Sequence, residues 1–83
     1  MIGYHCTTKK KLRRYQQTTA ILPPVRFWLK EPYARAWMEK THRDVLLKIS
    51  TTDEKSYPLP DHKPRGMAYW ADELIREWEE IVG

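Results

Sequence analysis

Val45-Leu46-Leu47-Lys48-Ile49 is the clearest strand in the chain, and its reading decides the fold. Four of its five residues are aliphatic, three of them in succession, which marks a strand inside a sheet, buried on both faces. Upstream, Val25-Arg26-Phe27-Trp28-Leu29 reads as another strand. Ile2 to Cys6 reads as a first one, with Ile2, Tyr4 and Cys6 alternating against Gly3 and His5. Downstream, STTDEKSYPLPDHKPRG (residues 50–66) holds three of the six prolines and reads as a long irregular loop. An edge strand is expected within it around Tyr57–Leu59. Met67-Ala68-Tyr69-Trp70 reads as a last short strand.

Helices fill the gaps. Thr7 or Thr8 caps a helix over residues 9–17, with Leu12, Tyr15, Gln16 and Thr19 inward and Lys10, Arg13, Arg14 and Gln17 outward. Ala20 to Leu22 and Pro23-Pro24 form a stiff extended connection. Glu31-Pro32 starts a second helix, with Tyr33, Ala34, Trp37, Met38 and Thr41 on one face. Asp72 caps a third, over about residues 72–82, with Leu74, Ile75, Trp78, Ile81 and Val82 as its buried stripe. Glu73 suits the dipole of that helix; Glu79 and Glu80, near its end, oppose it. The expectation is one α+β domain over residues 1–83. It has a small mixed, mostly antiparallel sheet with two or three packed helices.

Composition narrows the class. With 41% hydrophobic and 31% charged residues, the 83-residue chain folds rather than staying disordered. Four Trp and five Tyr give a small domain core material. Cys6 is the sole cysteine, so there is no intrachain disulfide. No apolar run approaches a membrane span, and MIGYHCTTKKK has the wrong charge order for a signal peptide, so a cytoplasmic protein is expected. Residues 1–50 carry eleven Lys/Arg against three Asp/Glu; residues 51–83 carry four against eight. Such polarity either steers an anionic partner to one face or lets the acidic tail pack near the basic part.

Lys9-Lys10-Lys11, Arg13 and Arg14 form the most obvious chemical feature. Helical spacing gathers Lys10, Arg13 and Arg14 into one patch able to neutralise phosphates. Lysines in a first turn oppose the helix dipole, a placement that suggests a use for the charge. A nucleic-acid-binding module using this helix is therefore one functional expectation. A solvated helix face is the plain alternative. His5, Cys6, His42 and His62 lack paired metal-ligand spacing, and adjacent His5 and Cys6 point to opposite faces of a strand, so no metal is expected. Cys6 beside His5 is either a nucleophile or a buried apolar residue. Tyr33, Trp37, Met38 and Trp78 read as core. Trp28 and Trp70, each bordering a turn, are candidates for a partly exposed ligand wall. Exposed Trp residues as anchors of a protein-interaction domain are a further alternative.

Tyr4-His5-Cys6-Thr7 on a first strand, followed by a helix, resembles the opening of the ADP-ribosyltransferase fold, which carries a His-x-Ser/Thr pattern there. The strand at Val25-Arg26-Phe27-Trp28, the helix carrying Ala34 and the strand at Val45 continue the resemblance over about residues 2–50. It implies an NAD or other nucleotide ligand and, in an active member, ADP-ribose transfer. By position, His5 and Thr7 would contact a ribose, and Phe27 or Trp28 would lie near the nicotinamide pocket. Arg26 stands where members commonly carry a tyrosine. Glu73 is the nearest counterpart of the family's catalytic glutamate. Arg26, the basic helix and Lys48 would then serve a pyrophosphate or a nucleic-acid end. The expected ligand site is His5, Thr7, Arg26, Phe27 and Trp28, without a metal.

Overall fold

A computed structural model of the chain describes residues 1–59 and 68–83. Two helices and six strands follow one another as β1 (Ile2–Thr7), α1 (Lys9–Thr18), β2 (Val25–Trp28), α2 (Glu31–Lys40), β3 (Val45–Ser50), β4 (Ser56–Leu59), β5 (Ala68–Ala71) and β6 (Trp78–Val82). The strands form one sheet in the order β4-β5-β2-β1-β3-β6. Every neighbouring pair is antiparallel, so the sheet is not mixed.

The expected buried strand is β3, whose Val45, Leu46 and Leu47 are fully buried. It lies between β1 and β6 and uses both faces. Val45, Leu47 and Ile49 join Val25, Phe27 and Leu12 in a larger core under α1. Leu46 joins Cys6, Trp28, Ala34 and Ala68 in a smaller one under α2. Alternation along β1 splits its side chains between these two cores. Gly3, opposite Ile49, is the one residue of β1 that leaves room for Phe27: a Cβ there would overlap the Phe27 ring.

Thr8 is the N-cap of α1, its Oγ1 accepting from the Lys11 N–H at 3.3 Å. Thr19 closes that helix in the left-handed region at φ 54°. Of the inward face expected for α1, Leu12 is buried and Tyr15 half-buried; Gln16 and Thr19 are exposed. In α2, with proline at its first turn as expected, Ala34 is buried and Trp37 and Met38 pack on the smaller core. Tyr33 faces solvent, contrary to expectation. The Pro23–Pro24 peptide is cis.

The third helix expected over residues 72–82 does not form. Asp72, Glu73, Leu74 and Ile75 are non-helical, and Trp78–Val82 is a strand on the outer edge of β3. The apolar stripe that fits a helix serves tertiary pairing instead. Ile21 and Ile75 exchange two backbone hydrogen bonds (2.8 and 3.1 Å). Trp78 pairs with Ile49, and Glu79 sits opposite Lys48, a favourable cross-strand charge pair. Without β6, the buried strand β3 would present a row of unpaired backbone groups, and that demand outweighs the helix preference of the glutamates. Over residues 50–59 the structure is less irregular than expected: a 3-10 turn at Asp53–Lys55 leads into β4, the expected edge strand, with Pro58 on the sheet's rim. Met67 and the part of that loop from residue 60 to 66 lie outside the described residues.

Candidate functional site: a cationic cleft where two strands part

β1 is in register with β3 over six pairs, from Ile2↔Ser50 to Thr7↔Val45, yet with β2 only at Tyr4↔Trp28. Beyond that pair the strands diverge. His5 bridges the gap, its Nδ1 2.6 Å from the Arg26 carbonyl oxygen. A carbonyl only accepts, so Nδ1 carries the proton and Nε2 is left as an acceptor. The Tyr15 hydroxyl lies 3.4 Å from that Nε2 and 3.3 Å from Thr7 Oγ1. A side chain thus replaces the ladder bond that a continuous strand pair would make, and a wedge opens between the two halves of the sheet.

A cavity of about 720 Å³ occupies the wedge. Lys11, Arg14, Tyr15 and Thr18 of α1 line one wall; Arg26 and Trp70 from β2 and β5 line another, with His5 between and Arg43 nearby. Four cationic side chains therefore meet at one cavity, and no carboxylate is among its described lining residues. Arg26 also lies over the Trp37 ring, 5.7 Å from its centroid, and Arg43 Nη1 donates to the Cys6 carbonyl at 3.1 Å. These contacts fix two of the four cations against the scaffold.

Burial pushes the His5 imidazole down to about 4; the hydrogen bond to Arg26 opposes this, and the charges of Arg43, Lys11 and Arg26 add to it. At neutral pH His5 is an uncharged acceptor at the cavity floor. Burial also pushes the Cys6 thiol up to about 11, and its Sγ donates to the Ala34 carbonyl at 3.0 Å on the opposite face of β1 from His5. Cys6 is a packing residue, not a nucleophile beside His5.

The sequence-derived candidates divide. His5, Arg26 and Arg14 line the cavity, and so does Trp70. Thr7 is buried beneath it and reaches it only through the Tyr15 hydroxyl. Phe27 and Trp28, at 0% and 1% exposure, lie in the core and are not among the lining residues. A residue that borders a turn in sequence is here covered by α2, whose Trp37 packs 5.5 Å from the Trp28 ring. Lys10 and Arg13 are exposed on the outer side of α1, away from the cavity. Glu73 precedes no helix; its Oε1 accepts from the Thr52 N–H at 2.6 Å, outside the cavity lining. Lys48 faces Glu79. Lys11, Tyr15, Thr18 and Arg43 are among the lining residues that the sequence reading did not place at a site. Lys11, Arg14, Tyr15 and Thr18 stand at i, i+3, i+4 and i+7, one stripe of a helix, and that spacing was the available signal.

Among the described residues no three His, Cys, Asp or Glu side chains are grouped to hold a metal ion, and no helix is long and apolar enough to cross a membrane. No protein-family model matches the chain, and no curated protein or solved structure matches it either.

Proposed function

We propose that the protein binds a nucleotide by its phosphates in the wedge between β1 and β2, with an NAD-type dinucleotide as the first ligand to test. The observation that carries this reading is the meeting of Lys11, Arg14, Arg26 and Arg43 at one cavity without a carboxylate among its described lining residues. Such a set repels itself and attracts a polyanion. Guanidinium groups donate to phosphate oxygens in bidentate fashion, and two of these are already held in place. His5 Nε2, as an acceptor, suits a ribose hydroxyl that donates, the role the resemblance to ADP-ribosyltransferases implies for it.

The proposal is for binding, with no catalytic step. Breaking the glycosidic bond of NAD develops positive charge on the sugar, which a positioned carboxylate stabilises. Glu73, the sequence candidate, is instead engaged with Thr52.

A second reading is a nucleic-acid-binding module using α1. It is favoured by the three lysines at the start of a helix that has no acidic residue in its first turn. A protein-interaction domain anchored by Trp residues is a third reading; Trp37, Trp70 and Trp78 are half-buried and Trp28 is buried.

Titration of the protein with NAD, ADP-ribose and a short single-stranded oligonucleotide, followed by ¹H–¹⁵N shifts, tests these readings. Cleft binding moves the amides of His5, Lys11, Arg14 and Arg26 and is lost in His5→Ala. Movement confined to the outer face of α1 with the oligonucleotide, lost in a double Lys10→Glu, Arg13→Glu variant, selects the second reading. Silence with all three ligands refutes both.

A further inference from the structure

Arg26, Trp70 and Tyr57 stand in one row across three adjacent strands, since Arg26 pairs with Trp70 and Trp70 with Tyr57. Directly opposite residues share a sheet face, so the three side chains lie side by side on the same surface. The Tyr57 and Trp70 rings are 4.8 Å apart between centroids and tilted by 30°. Trp70 is half-buried and lines the cavity; Tyr57 is 42% exposed on edge strand β4. A cationic cavity therefore opens onto an aromatic ledge that leads to the rim of the sheet. The ledge is not needed to close the fold: neither ring belongs to either core.

Aromatic surface at the mouth of a phosphate-attracting cavity has a specific chemical match. A free dinucleotide brings its charge and its bases together and ends there. A nucleic-acid strand brings a phosphate first and then further bases, each with a π-face that stacks on an aromatic ring whatever its sequence. We infer that the cleft takes the phosphorylated end of a single-stranded nucleic acid, with the nucleotides next to that end stacked on Trp70 and Tyr57. This rests on the phosphate-binding reading of the cleft and adds to it a ligand class and a second set of contacts. The charge agrees: four cations meet the end of the strand, and the exposed Lys10 and Arg13 extend positive potential around the outside of α1. Sequence selectivity should be slight, because stacking and phosphate contacts do not read base edges.

The test uses four probes on the intact chain: ADP, NAD, a 5′-phosphorylated oligothymidine of about four nucleotides, and the same oligomer without its phosphate. Affinities are measured by calorimetry for the native protein, Tyr57→Ala and Arg14→Glu. Tyr57 is exposed on an edge strand, so its alanine variant keeps the core; a denaturant midpoint confirms that it folds. The phosphorylated oligomer is expected to bind about tenfold or more tightly than ADP, and Tyr57→Ala to lose about tenfold for the oligomer and nothing for ADP. Arg14→Glu is expected to weaken both. ADP binding with no gain from the added nucleotides, or no loss in Tyr57→Ala, overturns this inference and leaves the nucleotide cleft standing. Absence of binding by ADP, NAD and both oligomers overturns the cleft reading and this inference together. Equal affinity with and without the 5′-phosphate overturns the assignment of the strand end to the cavity. A dimer that Tyr57→Ala converts to monomer assigns the ledge to a second copy of the chain and overturns the inference too.

Discussion

Lowering the pH should unfold this protein through His5, and the size of the effect follows from its position. The imidazole is 8% exposed, donates from Nδ1 to Arg26, and faces Arg43, Lys11 and Arg26. Its ordinary value of 6.5 is lowered to about 4 in the folded chain. Between those values the unfolded chain holds a proton that the folded chain does not, so stability falls as pH drops and is unaffected by this group above the unfolded value. The loss amounts to about 2 kcal/mol by roughly pH 5 and about 3 kcal/mol by roughly pH 4, a large part of what a domain of this size possesses. The assay is a difference, so that only the His5 contribution is read. Urea unfolding is followed at several pH values for the native protein and for His5→Gln, which cannot be protonated there. The native curve should fall more steeply by the stated amount. NMR of the ring nitrogens should show one Nδ1-protonated tautomer at neutral pH. Parallel pH curves for the two proteins, or an imidazolium already formed near pH 6.5, would refute the assignment of His5 as a buried neutral acceptor.

Other perturbations separate packing from binding. Gly3→Ala places a methyl group against the Phe27 ring and should destabilise by about 1–3 kcal/mol, read as a shifted urea midpoint with an unchanged slope. Glu73→Gln retains an acceptor for the Thr52 N–H but loses its charge; it should lower stability by about 1 kcal/mol and leave nucleotide affinity untouched, whereas loss of affinity would return Glu73 to the site. Inorganic phosphate should raise the melting temperature more than chloride at equal ionic strength, and Lys11→Glu together with Arg14→Glu should abolish the difference.

How much of this was legible in the chain depends on the range of the interactions. β3, β1 and β2 were readable because local pattern and tertiary role agree there: Val45 to Ile49 is apolar on both faces and is buried on both. The C-terminal strand was not, because Leu74, Ile75, Trp78, Ile81 and Val82 fit a helical stripe, while Trp78–Val82 pairs with the edge of β3 and Ile75 with Ile21. The sequence did hold a warning in Glu79 and Glu80, which oppose a helix dipole but suit the rim of a sheet. His5 and Arg26, singled out on the first two strands, both line the cavity. Arg43 was not, since its place at the cavity depends on a bond to Cys6, 37 residues away, that no local pattern announces. The burial of Phe27 and Trp28 was not legible, because a strand pattern does not tell what will cover its large side chains.

The same cations that make the cleft attractive to an anion make it costly to the fold. Four like charges converge there, and α1 begins with three lysines against its own dipole, with no acidic residue in the first turn to offset them. α2 shows the opposite arrangement, with Glu31 at its start, Lys40 at its end and a Glu31–Arg35 pair at 2.8 Å. One chain thus carries one helix whose charges serve stability and one whose charges work against it, and the second is the helix that lines the cleft. On the proposed reading, such local conflict is what a binding site imposes on a fold that is otherwise self-consistent. His5 fits this account. Burial keeps the ring neutral, with the charges of Arg43, Lys11 and Arg26 acting the same way; the neutral ring bonds the Arg26 carbonyl through Nδ1 and leaves Nε2 as an acceptor on the floor of a cavity whose walls are cationic.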